Sequence, residues 1–184
     1  LTRRLFAEAR TPELFQPQIA FVVDEDSVHD MQATTYPYLL ESLSLWRTEL
    51  DRLGAPVGYY LQSDLPRLPN SIHVLILANA YSIADDERRA LDKFLAKGGT
   101  VVWTFAPDVW GESGADIARI SAITGLNIAV HGGAGAVRIK SAVTEETWTI
   151  GDGWNLQFEI STTENVHAIA HYDGTNSAAV AATP

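Results

Sequence analysis

The sequence predicts an α/β protein with a doubly wound, mostly parallel sheet and a C-terminal antiparallel β extension. Short, continuous apolar runs, typical of strands that are buried on both faces, recur up to about residue 128. Segments with helical periodicity separate these runs, and this alternation is typical of parallel sheets. Beyond that point, short strand-like segments follow one another without intervening helices, which indicates antiparallel structure.

The first two strands are predicted at residues 19–23 and 57–61. The first run is apolar throughout, and the polar segment Asp24–Ser27 follows it directly. Between the strands, the period becomes helical over residues 38–53, and Gly54 is the residue type favoured just past a helix C-terminus. The predicted buried side of this helix comprises Leu39, Leu40, Leu43, Trp46, Leu50 and Leu53.

The third and fourth strands are predicted at residues 73–77 and 101–105, with a helix between them that begins at Ser82. Asp85 lies at capping-box spacing from Ser82, and the first turn is acidic, as the helix dipole favours. The acidic residues are Asp85, Asp86 and Glu87, and the predicted buried side comprises Leu91, Phe94 and Leu95. A last short helix is predicted around Ile117, Ile120 and Ile123, ending at Gly125.

The remainder of the chain is predicted to form short strands. Their predicted bounds are 137–143, 148–150, 156–160, 166–172 and 178–182, with a hairpin turn at 173–176. These patterns predict a lead-in over residues 1–15, an α/β domain over 16–130 and a β-rich extension over 131–184. Because the chain begins at Leu1 rather than at a methionine, we expect a domain cut from a larger protein.

Composition excludes several classes of function. The formal net charge of −10 repels phosphate backbones and anionic lipid surfaces, so no nucleic-acid or membrane partner is predicted. The longest apolar runs are too short to span a bilayer. The chain contains no cysteine, which excludes disulfides, thiolate metal sites and cysteine nucleophiles, but cytoplasmic and exported locations both stay open.

Three stretches together resemble a known family. They are residues 19–27, a strand followed by Asp-Glu-Asp-Ser; residues 75–95, in which Asn79-Ala80-Tyr81 precedes the helix; and residues 98–107. As a set they resemble the class I glutamine amidotransferase-like domain that follows the catalytic barrel in some glycoside hydrolases, such as the trimerisation domain of family-42 β-galactosidases. The resemblance covers roughly residues 15–128. It implies a flavodoxin-like or amidotransferase-like fold, an oligomerisation or scaffolding role, and a catalytic barrel upstream.

Active amidotransferases place a cysteine on a strained strand-to-helix turn that is flanked by glycines. The matching place is the end of the fourth strand, which reads Thr104-Phe105-Ala106-Pro107-Asp108 and contains no Cys, Ser or Gly. Pro107 is expected to disturb such a turn, and the His-x-Glu that would serve the nucleophile is missing. The sequence therefore predicts no amidotransferase activity and no catalytic residue in this chain.

Seven residues are candidates for binding a ligand or a subunit. Asp24, Glu25 and Asp26 follow the first strand, where open α/β sheets bind ligands, although such a loop also commonly caps a helix or bonds loop amides. Asn79, Tyr81, Phe105 and Trp110 lie at or after the ends of the third and fourth strands, and aromatic residues there suit a sugar ring or a subunit interface. Trp103 is predicted to be core.

Other patterns predict no site. His167 and His171 alternate with apolar residues on a predicted strand, where they lie about 13 Å apart, too far for one ion. His29, His73 and His131 are isolated, and Gly132–Gly135 lacks the strand, helix and Lys of a phosphate loop. No pair of carboxylates is placed to flank a glycosidic bond. We therefore expect no metal site and no cofactor.

The leading hypothesis is a non-catalytic accessory domain of a β-galactosidase-like glycoside hydrolase, forming a trimer or dimer through its α/β domain. Two alternatives stay open. A carbohydrate-binding module would use the aromatic residues near Trp110, and a small hydrolase of unknown type would work through Asp24 and its neighbours.

Overall fold

The computed structural model describes residues 15–27, 36–131, 137–144, 146–150 and 157–184, with side chains described except at 36–42, 137 and 150. Apart from Phe15, the predicted lead-in lies outside the described residues, as do His29 and the glycine-rich loop at 132–135. The chain divides into two compact units, residues 1–108 and 109–184, each of which is considered by itself.

The first unit contains a four-stranded parallel sheet in the order β2-β1-β3-β4. Its strands are β1 (Ile19–Val23), β2 (Val57–Leu61), β3 (Val74–Leu77) and β4 (Thr100–Trp103). The predicted bounds of the first two strands are confirmed, and the other two differ by one or two residues. Strand β1 lies inside the sheet with a neighbour on each side. Its central residues are buried, and Phe21 packs with Ile76.

Two α-helices and a 3-10 helix accompany this sheet. They are α1 (Tyr36–Asp51), the 3-10 helix Gln62–Arg67 and α2 (Asp85–Ala96). Leu50 packs into the same apolar cluster as Phe21, as predicted. The predicted burial of two other residues is wrong, since Trp46 is 40% and Leu53 62% exposed. Leu53 lies beyond the end of α1, and Trp46 contacts Phe21 with ring centroids 6.3 Å apart while part of its ring faces solvent.

Helix α2 begins at Asp85 rather than at Ser82. Ala84 precedes it with extended backbone, and its amide donates to Glu87 Oε2 at 2.9 Å. Glu87, not Asp85, is therefore the acidic residue that caps the helix. Leu91 is 1% exposed, as predicted. The predicted burial of Leu95, in the last turn of the helix, is wrong, since it is 45% exposed.

The second unit begins with a small hairpin and a helix. Strands β5 (Trp110–Gly111) and β6 (Gly114–Ala115) pair antiparallel, and α3 spans Ile117–Thr124. Asp116 caps α3 by accepting a hydrogen bond from the Ala118 amide at 2.9 Å. Gly125 ends the helix with φ of 69°, a left-handed conformation that glycine adopts without strain.

A six-stranded antiparallel sheet completes this unit, in the order β7-β10-β12-β11-β8-β9. The strands are β7 (Ile128–His131), β8 (Val137–Ser141), β9 (Thr147–Ile150), β10 (Gln157–Ile160), β11 (His167–Tyr172) and β12 (Ala178–Ala182). Strand β7, which was not predicted, pairs with β10 and lies beside α3. The two compact units divide between residues 108 and 109. The domain bounds 16–130 and 131–184 stay a prediction.

The parallel sheet followed by antiparallel β structure confirms the coarse fold class. That helices cover both faces of the parallel sheet stays a prediction. In the described part of the chain, no helix combines the length and apolar character needed to cross a bilayer.

Candidate functional site

Asp24 directly follows β1 at the carboxyl edge of the parallel sheet, and it is only 5% exposed. Its Oδ1 accepts a hydrogen bond from the Asp26 amide at 3.0 Å, and its Oδ2 accepts one from Ser27 Oγ. Burial raises the pKa of the Asp24 carboxyl above its ordinary value, and the bonds from Ser27 and Asp26 oppose that increase. Both oxygens are thus used within the turn that follows β1.

Asn79 joins this turn to the end of β3. It is fully buried, its Oδ1 accepts from the Asp24 amide at 2.8 Å, and its Nδ2 donates to the Asp24 carbonyl at 2.7 Å. The direction of chain progression across the sheet reverses between β1 and β3, which is where open α/β sheets bind ligands. At this position the Asn79 amide instead satisfies the backbone of its own protein.

Asp108 holds the segment after β4 against the segment after β3. It is 1% exposed, its Oδ1 accepts from the Ile83 amide at 3.1 Å, and its Oδ2 lies 2.5 Å from Arg88 Nη2. The Asp108 amide donates to the Ala80 carbonyl at 2.7 Å. Thr104 Oγ1 lies 2.9 and 2.7 Å from the carbonyls of Leu77 and Ala78, so this edge is closed by internal hydrogen bonds.

The segment matching the amidotransferase turn is strained even without glycine. Ala106 and Asp108 have φ of 50° and 55°, in the left-handed region that costs a non-glycine residue about 1–2 kcal/mol. Pro107 lies between these two left-handed residues. Ala106 is 4% exposed and carries no nucleophilic atom, and the chain continues into β5 rather than into a helix.

A second polar cluster lies where β2 ends. Gln62 Nε2 donates to the Ser82 carbonyl at 2.8 Å and to Glu87 Oε2 at 2.9 Å, and Ser63 Oγ donates to Glu25 Oε1 at 2.8 Å. Burial, helped by the negative charges of Asp24 and Asp86, raises the pKa of Glu87. In the described structure, no group of three His, Asp or Glu side chains is placed to hold a metal ion.

The aromatic candidates are divided between the units. Tyr81 and Phe105 meet edge to face in the first unit, with ring centroids 6.3 Å apart, and Phe105 is 45% exposed. Trp110 is 38% exposed and belongs to β5 in the second unit, where it pairs with Ala115. Trp103 is half-buried at the last residue of β4 rather than in the core. Asp26 is exposed.

The second unit contains a cluster that sequence reasoning missed. The rings of His131 and Tyr172 stack with centroids 3.9 Å apart and planes 3° apart. His131 Nδ1 lies 3.3 Å from Glu159 Oε2, and the Tyr172 hydroxyl donates to the Phe158 carbonyl at 2.7 Å. Hydrogen bonds from Ser177 and His131 lower the pKa of Glu159. These residues come from three strands, so no spacing along the chain reveals them.

The other two histidines of this unit lie on β11, as predicted. His167 is exposed and His171 half-buried, while Ala170 and Tyr172 are buried. The alternation places the histidine side chains away from the buried side of the strand.

No protein-family model matches the chain, and no curated protein matches it. Several solved structures match the chain. The chain superposes on a GH42 β-galactosidase from G. stearothermophilus with a TM-score of 0.61 and 17% identity, covering 92% of this chain and 25% of that one. A β-galactosidase from the psychrophilic Marinomonas ef1 superposes with a TM-score of 0.56 and 12% sequence identity, covering 94% of this chain and 27% of that one. A ThuA-like protein from Bacteroides uniformis superposes with a TM-score of 0.52 and 11% sequence identity, covering 92% of this chain and 79% of that one.

The chain shares the fold of these matched regions over nearly its whole length. The chain spans about a quarter of the length of the two β-galactosidases that it matches. At identities of 11–17% the likeness concerns the fold alone.

Proposed function

We propose that this chain is a non-catalytic accessory domain of a glycoside hydrolase and acts in oligomer assembly. The observation that carries the proposal is the likeness of nearly the whole chain to about a quarter of a GH42 β-galactosidase. A domain that occupies such a share of a larger enzyme leaves room for a catalytic domain elsewhere in the parent.

The polar side chains at the carboxyl edge of the parallel sheet support a non-catalytic role for this chain. Asp24, Asn79 and Asp108 are buried and use their polar atoms to join neighbouring segments of the protein. The segment Thr104–Asp108, which the sequence matches to the nucleophile turn of an amidotransferase, contains no Cys or Ser. A catalytic group must be able to reach its substrate, and these groups are committed to internal bonds.

Exposed apolar side chains of the first unit support a role in assembly. Trp46 and Tyr59 both contact Phe21 and are 40% and 42% exposed, and Leu45 is 57% exposed on α1. Exposed large apolar side chains are common at protein–protein interfaces. Burying it between subunits would remove it from water.

Light scattering coupled to size exclusion tests the assembly role. We expect the purified chain to form a dimer or trimer, and Leu45→Asp to shift it toward monomer while Ser44→Asp, at an exposed position on another side of the same helix, does not. A monomer at the highest soluble concentration would contradict an assembly role for this domain.

A hydrolysis assay tests the absence of catalysis. We expect no turnover of nitrophenyl galactosides by the chain. Turnover that disappears in Asp24→Asn would instead support the hydrolase alternative, because that substitution preserves shape and removes the charge.

A further inference from the structure

An open cavity in the second unit has no part in the function proposed above. Its volume is about 260 Å³, and it is lined by His131, Arg138, Tyr172, Asp173 and Thr175. These residues come from β7, β8, β11 and the turn between β11 and β12. The sheet therefore gathers an imidazole, a guanidinium, a carboxylate and a hydroxyl at one place.

The imidazole of His131 is held in a fixed orientation. Tyr172 stacks on its ring at 3.9 Å, and Glu159 Oε2 lies 3.3 Å from its Nδ1. A proton on Nδ1, donated to this carboxylate, leaves a lone pair on Nε2. This nitrogen can accept a hydrogen bond from a bound hydroxyl.

Arg138 and Asp173 form the rim of the cavity. Their closest charged atoms are 3.5 Å apart, and their side chains are 64% and 38% exposed. The Asp173 amide donates to the Arg138 carbonyl at 2.8 Å, which keeps the two residues side by side. A loose, exposed pair of this kind presents both guanidinium donors and carboxylate acceptors to a ligand.

The charges of these groups decide which ligand class fits. Arg138 and Asp173 cancel, and the Glu159 carboxylate behind His131 adds negative charge, so an anion is not favoured. Neighbouring hydroxyls of a sugar can accept from Arg138 and donate to Asp173 and His131 at the same time. The volume lies just below the roughly 300 Å³ at which drug-sized sites begin.

We propose that this cavity binds a neutral, hydroxyl-rich ligand the size of one sugar ring. Binding would depend on the Arg138–Asp173 pair and on Nε2 of His131. The proposal concerns a different unit from the apolar surface of the assembly role and holds whether or not that role is correct.

Saturation-transfer NMR and calorimetry with methyl β-galactoside and methyl α-glucoside, on the full chain, test it. We expect at least one of these sugars to bind, and Arg138→Ala to weaken binding by at least about tenfold, because hydrogen bonds to a charged group are lost. Lys140→Ala removes the same charge two residues along β8 and should leave affinity unchanged. Asp173→Asn is a second variant, expected to weaken binding as well.

Three results would overturn the proposal. The first is that neither sugar binds, and the second is that inorganic phosphate binds in their place, which would indicate an anion site. The third is that a sugar binds with equal affinity to the wild type and to both rim variants, which would place binding elsewhere. Circular dichroism of each variant establishes that it is folded. The oligomeric state, measured on the same samples, reports separately on the assembly role.

Discussion

The carboxyl edge of the parallel sheet and the cavity of the antiparallel sheet are both rich in polar side chains, but they use them differently. Asp24, Asn79 and Asp108 are at most 5% exposed and bond to their own protein. Arg138 and Asp173 keep 64% and 38% of their side-chain surface in solvent. Open α/β sheets usually bind ligands at the carboxyl edge. In this protein, the polar atoms that a ligand could reach are those of the cavity. Position in a fold does not by itself make a site.

The largest expected effect on stability comes from removing the Asn79 side chain, which bridges the ends of β1 and β3 through its hydrogen bonds to the Asp24 backbone. Asn79→Ala leaves the amide and carbonyl of Asp24 without partners in a buried place, and it also creates a small cavity. We expect the free energy of unfolding, measured by urea denaturation, to fall by about 3 kcal/mol. Asn70→Ala, at an exposed position, should change it by less than about 0.5 kcal/mol. Equal effects of the two variants would show that the bridge contributes nothing.

Double-mutant cycles on the two ion pairs sharpen the comparison. For Arg88→Gln with Asp108→Asn we expect a coupling of about 1–3 kcal/mol, because Asp108 is 1% exposed. For Arg138→Gln with Asp173→Asn we expect less than about 0.5 kcal/mol, because that pair is exposed and 3.5 Å apart. A stronger coupling at the cavity rim than at the buried edge would reverse our view of which pair is structural.

The smallest expected effects are opposite responses to pH. The pKa of Glu87 is raised by burial, so its contribution to stability is present below its ordinary value of 4.5 and is lost as pH rises through its folded pKa. The pKa of Glu159 is lowered by Ser177 and His131, so its contribution is present above 4.5 and is lost as pH falls through its folded pKa.

Hydrogen exchange of peptides from β1–β3 and from β10–β12, measured at pH values below and above 4.5, follows the two responses separately. Glu87→Gln should remove the loss of protection with rising pH in the first unit, and Glu159→Gln should remove the loss with falling pH in the second. The same direction of change in both units would contradict the assigned pKa shifts.

Local patterns in the sequence were sufficient for much of the fold. Strands β1 and β2 were placed correctly because a buried parallel strand needs a continuous apolar run, and polar or turn residues mark its ends. The start of α2 was misplaced, since Ser82 suits a cap by residue type while the backbone lets Glu87 reach the Ala84 amide. Burial of Trp46 depended on how far its neighbours cover it, which periodicity does not report.

The polar clusters were beyond such patterns. Asp24 and Asn79 are 55 residues apart in the chain and meet only because β1 and β3 are neighbours. The sequence did single out both residues, as members of strand ends, without predicting that they bond to each other. His131 looked isolated because its partners, Glu159 and Tyr172, come from other strands of the antiparallel sheet.

The left-handed backbone at Ala106 has a consequence for protein engineering. A cysteine introduced there would inherit a strained turn, but its thiol would lie at a position that is 4% exposed. Burial disfavours the thiolate and blocks the approach of an amide substrate. Ala106→Cys is therefore suited to a protected label that reacts only when the first unit opens, and installing an amidotransferase nucleophile would require rebuilding the surrounding loops.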